Sequence, residues 1–356
     1  MTTRRDFLAT LLAAAAVPTL TWADAGSPDF LAAARAPDGS FVLCGLTMQG
    51  RETFRIPLPA LGHAGASHPV RPEAVTFARR PGTFALVIDC VNGRVVRSLA
   101  APEGRHFSGH GTFSADGETL FTAEIDNATG AGRIGLWAQA DGYRRIGQFA
   151  SGGIGPHDIL RLAGGSLLVA NGGIVTALDD ERTQLNLDTM RPNLSYLATD
   201  GTVIDQIKLV PELHCNSIRH LAAHPDGTVA FAMQWEGDEA VHPPLLGLHL
   251  RGGDPVLCKV PDALSPRMKS YAGSVAFDGN GRNVAITCPK GGVVILFDRD
   301  GRFIDMPERA DVCGIGAAPG GFVLTDGFGG MMQLRSDSLT PLASFDLAWD
   351  NHLISV

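Results

Sequence analysis

Three histidines recur in one frame. His110, His157 and His220 each stand seven residues before a turn glycine (Gly117, Gly164, Gly227) and fourteen before a polar side chain (Glu124, Asn171, Gln234). A fourth, His352, follows Trp349-Asp350-Asn351 near the C-terminus. Neutral imidazole is the commonest side-chain metal ligand, and several converging imidazoles suit zinc, copper, iron or nickel. His110, His157, His220 and His352 are therefore the candidate metal ligands. Glu124, Asn171, Gln234 and Arg219, with Asp126, Asp158 and Asp350 nearby, are placed to orient such rings by hydrogen bonding. His106, Tyr271 and Cys313 complete the candidate ligand-binding set: His106 beside Arg105 ahead of His110, Tyr271 ahead of the sixth repeat, Cys313 at the head of the seventh. Each has a plainer reading. A histidine at a strand start often bonds a neighbouring turn, and a cysteine in an apolar run is usually a small buried side chain.

Other chemistries leave little trace. The chain has no Gly-x-Ser-x-Gly elbow and no His-Glu-x-x-His helix. Gly152-Gly153-Ile154-Gly155 lacks both the spacing and the following helix of a nucleotide-binding loop. The six cysteines (Cys44, Cys90, Cys215, Cys258, Cys288, Cys313) include no Cys-x-x-Cys pair and no haem-attachment site. With 29 basic against 37 acidic residues and a pI near 5.7, nucleic acid and anionic lipid are poor partners. No mature segment reaches the roughly 18–20 apolar residues of a membrane helix.

The histidines must be carried by something periodic. Short apolar runs alternate with Asp-Gly and Gly-Gly turns, and helical periodicity is almost absent. The histidine frame continues in weaker form as Ser274–Gly281–Cys288, Cys313–Gly320, Ala32–Gly39 and Val75–Gly82. Seven copies then begin near residues 32, 75, 110, 157, 220, 274 and 313. One four-stranded unit cannot bury its own faces, so such units stack around an axis. The expected fold is all-β: a seven-bladed β-propeller closed by the C-terminal strand, which brings His352 to the axis. A pair of β-sandwiches also fits the turn spacing but gives no reason for a repeat held in register. Two longer connections, 174–213 and 236–252, are expected on one rim.

The N-terminus reads as an address. Arg4-Arg5-Asp6-Phe7-Leu8 precedes an apolar run to Val17 and an Ala23-Asp24-Ala25 exit, the form of a twin-arginine signal peptide. Residues 1–25 are assigned to that signal and 26–356 to a single propeller domain, which places the mature protein in the periplasm. This route exports folded cargo, so a metal can be loaded before export.

The motifs Gly104-Arg105-His106-Phe107-x-Gly109-His110-Gly111, Gly153-Ile154-Gly155-Pro156-His157, Ala170-Asn171-Gly172-Gly173, Leu185-Asn186-Leu187, Ser217-Ile218-Arg219-His220-Leu221 and Trp349-Asp350-Asn351-His352 occur in that order. Together they resemble a family of twin-arginine-exported bacterial proteins of unknown function, themselves predicted seven-bladed propellers. Its members are often encoded beside imelysin-type iron-uptake proteins and di-haem oxidoreductase-like proteins, which implies a role in periplasmic iron acquisition. This chain departs from the pattern twice: Asp158 stands where the family has glutamate, and Thr176 is followed by Ala177-Leu178 where the family has His-Pro.

Three functions fit. The leading one is a propeller binding one transition metal ion (iron, copper or zinc), or a metal-bearing small ligand, at its histidine-lined axis, with periplasmic iron-uptake proteins as partners. A metal-dependent hydrolase or oxidoreductase is the second. The third is a non-catalytic interaction scaffold. Convergence of the histidines separates the first two from the third; an open cavity beside them separates the second from the first.

Overall fold

In a computed structural model of the chain, residues 20–78, 82–177, 183–336 and 338–356 are described. Arg4, Arg5 and most of the expected signal lie outside the described residues. Its last residues form a turn in which the Trp22 indole donates to the His68 carbonyl (2.9 Å) and Ala25 is buried.

The expectation of a seven-bladed propeller holds. Seven antiparallel sheets follow one another in chain order, each running outward strand by strand. Blade 2 comprises Gly62–Ser67, Glu73–Ala78, Phe84–Asp89 and Arg94–Ala100. Blades 3 to 7 have innermost strands Arg105–Phe113, Pro156–Arg161, Asn216–Ala223, Ser274–Phe277 and Val312–Ala318. Blade 1 is composite. Phe30–Arg35, Phe41–Leu46 and Glu52–Leu58 come from the N-terminal part, and its innermost position is filled by Ala348–Trp349 and Ile354–Ser355. Trp349 pairs with Ala34 and Ile354 with Leu31, so the C-terminal strand closes the ring as expected. Closure removes the exposed edge that an open sheet would present.

The apolar core is divided, and the division follows from the repeat. The strand interiors read as continuous apolar runs because both faces of a blade are covered by its neighbours. Seven buried clusters result, each joining side chains of two adjacent blades. Phe77, Phe107 and Trp137 seal blades 2 and 3; Phe30, Cys44, Cys313 and Trp349 seal the closure between blades 7 and 1. All six cysteines are buried and unlinked.

The repeat frame needs correction at two of its seven copies. Ala32 and Val75 lie on the second strands of their blades, not the innermost, so the turns at Gly39 and Gly82 join second strand to third. The innermost strand of blade 2 begins thirteen residues upstream of Val75, at Gly62, and that of blade 1 is at the far end of the chain. Apolar strands on either side of a glycine turn look alike, which allowed the slip by one strand. The long connections are also shorter than expected: Asn193–Leu197, Val203–Lys208 and Leu246–Leu250 are ordinary blade strands within them. The rim loops that remain both join second to third strands, which puts them on one rim, where Gln184 donates to Glu236.

Candidate metal centre

Inner strands of propellers must pass close to the axis, so their residues are small: Gly62, Ala64, Gly65 and Ala66 in blade 2, and Gly109 and Gly111 around His110. A lone large side chain on such a strand projects into the centre. Five histidines do so, and they belong to five consecutive blades. His352, His63, His110, His157 and His220 come from blades 1 to 5. Ring centroids are 4.8 Å apart for His63–His352 and for His157–His220, 4.9 Å for His110–His157 and His220–His352, 5.0 Å for His110–His352 and 5.2 Å for His63–His110.

What aims them is a break in strand register. The ladder slips between Gly62 and Gly65, between Phe107 and Gly111, between Pro156 and Asp158, and between Ile218 and His220. A bulge of this kind re-aims a side chain that a regular pleat would turn into the blade. Blade 6 runs without such a slip and blade 7 has one between Val312 and Ile315; neither contributes a histidine.

Nitrogen atoms of His63, His110 and His352 lie within 4.8 Å of one another, and so do those of His110, His157 and His220. An ion held at about 2.1 Å from each of three nitrogens separates them by about 3.4–3.6 Å, so each ring of either triad must move inward by up to about 0.7 Å to close on one. Both triads contain His110. Its Nδ1 donates to Asp158 Oδ1 (3.0 Å), and its Nε2 is buried without a hydrogen-bond partner. His157 Nε2 and His220 Nδ1 are buried and unpartnered in the same way. Unpaired polar atoms at full burial are costly, and a cation at the centre would satisfy them. With one nitrogen of His110 spent on Asp158, only one ion can use it at a time.

Electrostatics keep His157 and His220 neutral. Burial, then the Arg219 guanidinium and the neighbouring His220, His110 and His63, hold His157 well below the ordinary histidine value. Burial, then His110, does the same to His220, with Asp158 opposing. Burial pushes the Asp158 carboxyl up, but His110 and its hydrogen bond and the Leu221 N–H more than offset this, and Asp158 ends below the usual carboxylate range. It is an ionised acceptor behind the His110 ring, the arrangement that orients metal-binding histidines. Asp350 lies similarly behind His63, with Oδ2 3.5 Å from Nδ1.

Beside the histidines, a channel of about 870 Å³ runs along the axis. It is bounded by His110, Asp158, His220 and His352 at its inner end and by small side chains such as Ala222, Ala276 and Ala317 along its wall. The outer candidates are placed elsewhere. Glu124 is fully buried and reaches outward across Gly135 to Arg145 (2.6 and 2.9 Å) and Arg105 (3.6 Å). Asn171 donates to Ser151, Asn193 and Ser195 and accepts from the Ser151 hydroxyl. Gln234 donates to the Ala272 carbonyl, linking blade 5 to the chain entering blade 6. These bonds hold strands and blades together, and none of them goes to an axial imidazole. His106 pairs with Asn127 (2.7 Å). Tyr271 lies under the Lys290 ammonium and accepts from Asn351 (3.5 Å). Cys313 bonds the Trp349 and Thr325 carbonyls, and burial pushes its thiol up to about 12. Arg219, like Asp158 and Asp350, does touch an axial ring: its Nη1 is 3.3 Å from His157 Nδ1.

The sequence frame did not pick out His63. The signal available was Gly62-His63-Ala64, a histidine between small residues like Gly109-His110-Gly111.

The pattern of the family described as "Protein of unknown function (DUF1513)" matches residues 56–356, a stretch that carries all five axial histidines. The chain belongs to that family. Among solved structures, this chain is similar to hydrazine synthase from Kuenenia stuttgartiensis, with a TM-score of 0.60 over 89% of this chain and 96% of that one at 13% identity. A protein of unknown function from Bacteroides caccae aligns over 79% and 93% at 14% identity and a TM-score of 0.49. At 13% identity, the likeness to hydrazine synthase shows the fold alone. No curated protein matches the chain.

Proposed function

We propose that this DUF1513 protein binds a single transition metal ion on the propeller axis. One observation carries the reading: His110, shared by both triads, has Asp158 behind its Nδ1 and a buried, unpartnered Nε2 facing four other imidazoles. Histidines that served only to stitch the blades would end on neighbouring polar groups, as Asn171 and Gln234 do. The donor set is neutral nitrogen, with carboxylates one step back and no thiolate. That set suits zinc, copper or ferrous iron and is a poor match for ferric iron, which takes anionic oxygen. Periplasmic location, twin-arginine export with the metal already loaded, and an accessory role beside iron-uptake proteins complete the proposal; Arg4-Arg5 and the family resemblance support them. Ferrous rather than ferric iron is the form this site would serve.

A second reading, a metal-dependent hydrolase or oxidoreductase, is favoured by the channel. It reaches His110, His220 and His352 and has room for a small substrate against a bound ion.

Metal content by mass spectrometry, on protein purified from the periplasm, tests the proposal. About one iron, copper or zinc per chain, lost in His110→Asn, is the expected result. Wild-type protein that stays metal-free after exposure to each ion overturns it.

A further inference from the structure

His110 and His157 are neighbours with opposite partners. Asp158, ionised, can only accept, so the proton it shares with His110 sits on Nδ1 and His110 Nε2 carries a lone pair. Arg219 can only donate, so His157 Nδ1 receives it with a lone pair at 3.3 Å, and the neutral ring holds its own proton on Nε2. That Nε2–H is buried and meets no acceptor. His157 therefore has no lone pair left for an ion, although it belongs to one of the two triads.

We propose that the ion is held by His63, His110 and His352, and that His157 donates its Nε2–H to a water or hydroxide bound to that ion. This inference rests on the axial metal reading and says which side of the histidine cluster does what. His63 and His110 are alike in having a carboxylate behind Nδ1, Asp350 at 3.5 Å and Asp158 at 3.0 Å. His157 has a cation there instead. The His157 ring lies 4.9 Å from His110 and 6.0 Å from His63, spacing that confines the shared ligand to one or two atoms. A metal-bound oxygen would satisfy the otherwise orphaned Nε2–H, and the hydrogen bond would favour hydroxide over water on the ion.

Arg219 is then a positioning residue. Its other nitrogen faces Glu236 (3.5 Å), and Gln184 on the neighbouring rim loop donates to Glu236. The tautomer of His157 is thus set from the rim, through a chain of side chains that ends where a docking partner or ligand could reach it.

The test is two-dimensional ¹H–¹⁵N spectroscopy on protein labelled at histidine, first metal-free and then with one equivalent of zinc. Signals are assigned by single His→Gln variants. Metal-free protein should show His110 as the Nδ1–H form and His157 as the Nε2–H form. Zinc should move the ring nitrogens of His63, His110 and His352 to coordinated values and leave His157 protonated at Nε2. Arg219→Met should lift the restraint on Nδ1, so that the Nδ1–H form of His157 becomes populated beside the Nε2–H form in metal-free protein, a change that loss of packing alone would not produce. Zinc coordinated by His157, with His63 unmoved, overturns this inference and leaves the axial metal reading intact. No shift in any axial histidine on adding zinc overturns both.

Discussion

Asp158 follows His157 in the chain, yet its carboxylate serves His110 of the preceding blade, at 3.0 Å from Nδ1, while its other oxygen accepts the Leu221 N–H of the following blade at 2.9 Å. One side chain thus ties three blades together at the axis and sets the tautomer of the histidine common to both triads.

Replacing Asp158 with Asn keeps the shape and removes the charge. Metal affinity should fall about 10–100-fold. Stability should fall by about 1–3 kcal/mol, because the amide cannot satisfy both the His110 ring and the Leu221 N–H. Zinc titration and thermal denaturation of the same preparation read the two effects separately.

Gly109 has a φ of +101°, and a Cβ there would lie 2.7 Å from Cδ2 of His63. Gly109→Ala should cost about 1–2 kcal/mol through the backbone and displace the His63 ring. The expected signature is a folded propeller, by circular dichroism, with weakened metal binding. Undiminished affinity would remove His63 from the site.

Glu124 sits in the sequence frame at the place of an outer-shell partner, but the structure gives it to Arg145 and Arg105. Glu124→Gln should cost about 3 kcal/mol by leaving those cations without their carboxylate; both are partly exposed, so the loss lies at the low end for a buried pair. Metal stoichiometry should stay unchanged.

The pH dependence of the metal-stripped protein follows from His157 and His220, both held well below 6.5 by burial and neighbouring positive groups. The unfolded chain takes up these protons at the ordinary value, so below 6.5 it binds more protons than the native state. The stability tied to these groups is complete above 6.5 and drains away as pH falls. A melting temperature that drops on acidification from pH 7 to 5, less steeply in His220→Gln, is expected.

Much was legible in the sequence because a propeller is built from one repeated unit. Turn glycines and apolar runs at recurring intervals require stacked blades, and His110, His157 and His220 share a phase that puts them on equivalent strands. Trp349-Asp350-Asn351-His352 marked the closing strand, since a ring needs its last strand beside its first. What the sequence could not resolve is direction within a blade. Glu124, Asn171 and Gln234 share the repeat phase, but on a second strand that phase points into hydrogen bonds within and between blades. His63 hides in a strand whose turn carries no glycine at the repeat position, so periodicity skips it. Whether a residue reaches the axis depends on the bulges at Gly62–Gly65, Phe107–Gly111, Pro156–Asp158 and Ile218–His220, and their positions are settled by how the inner strands pair once the ring is closed. The sequence by itself determined the blades and most of the histidines; the closed ring decided which side chains meet, and which nitrogen each one turns inward.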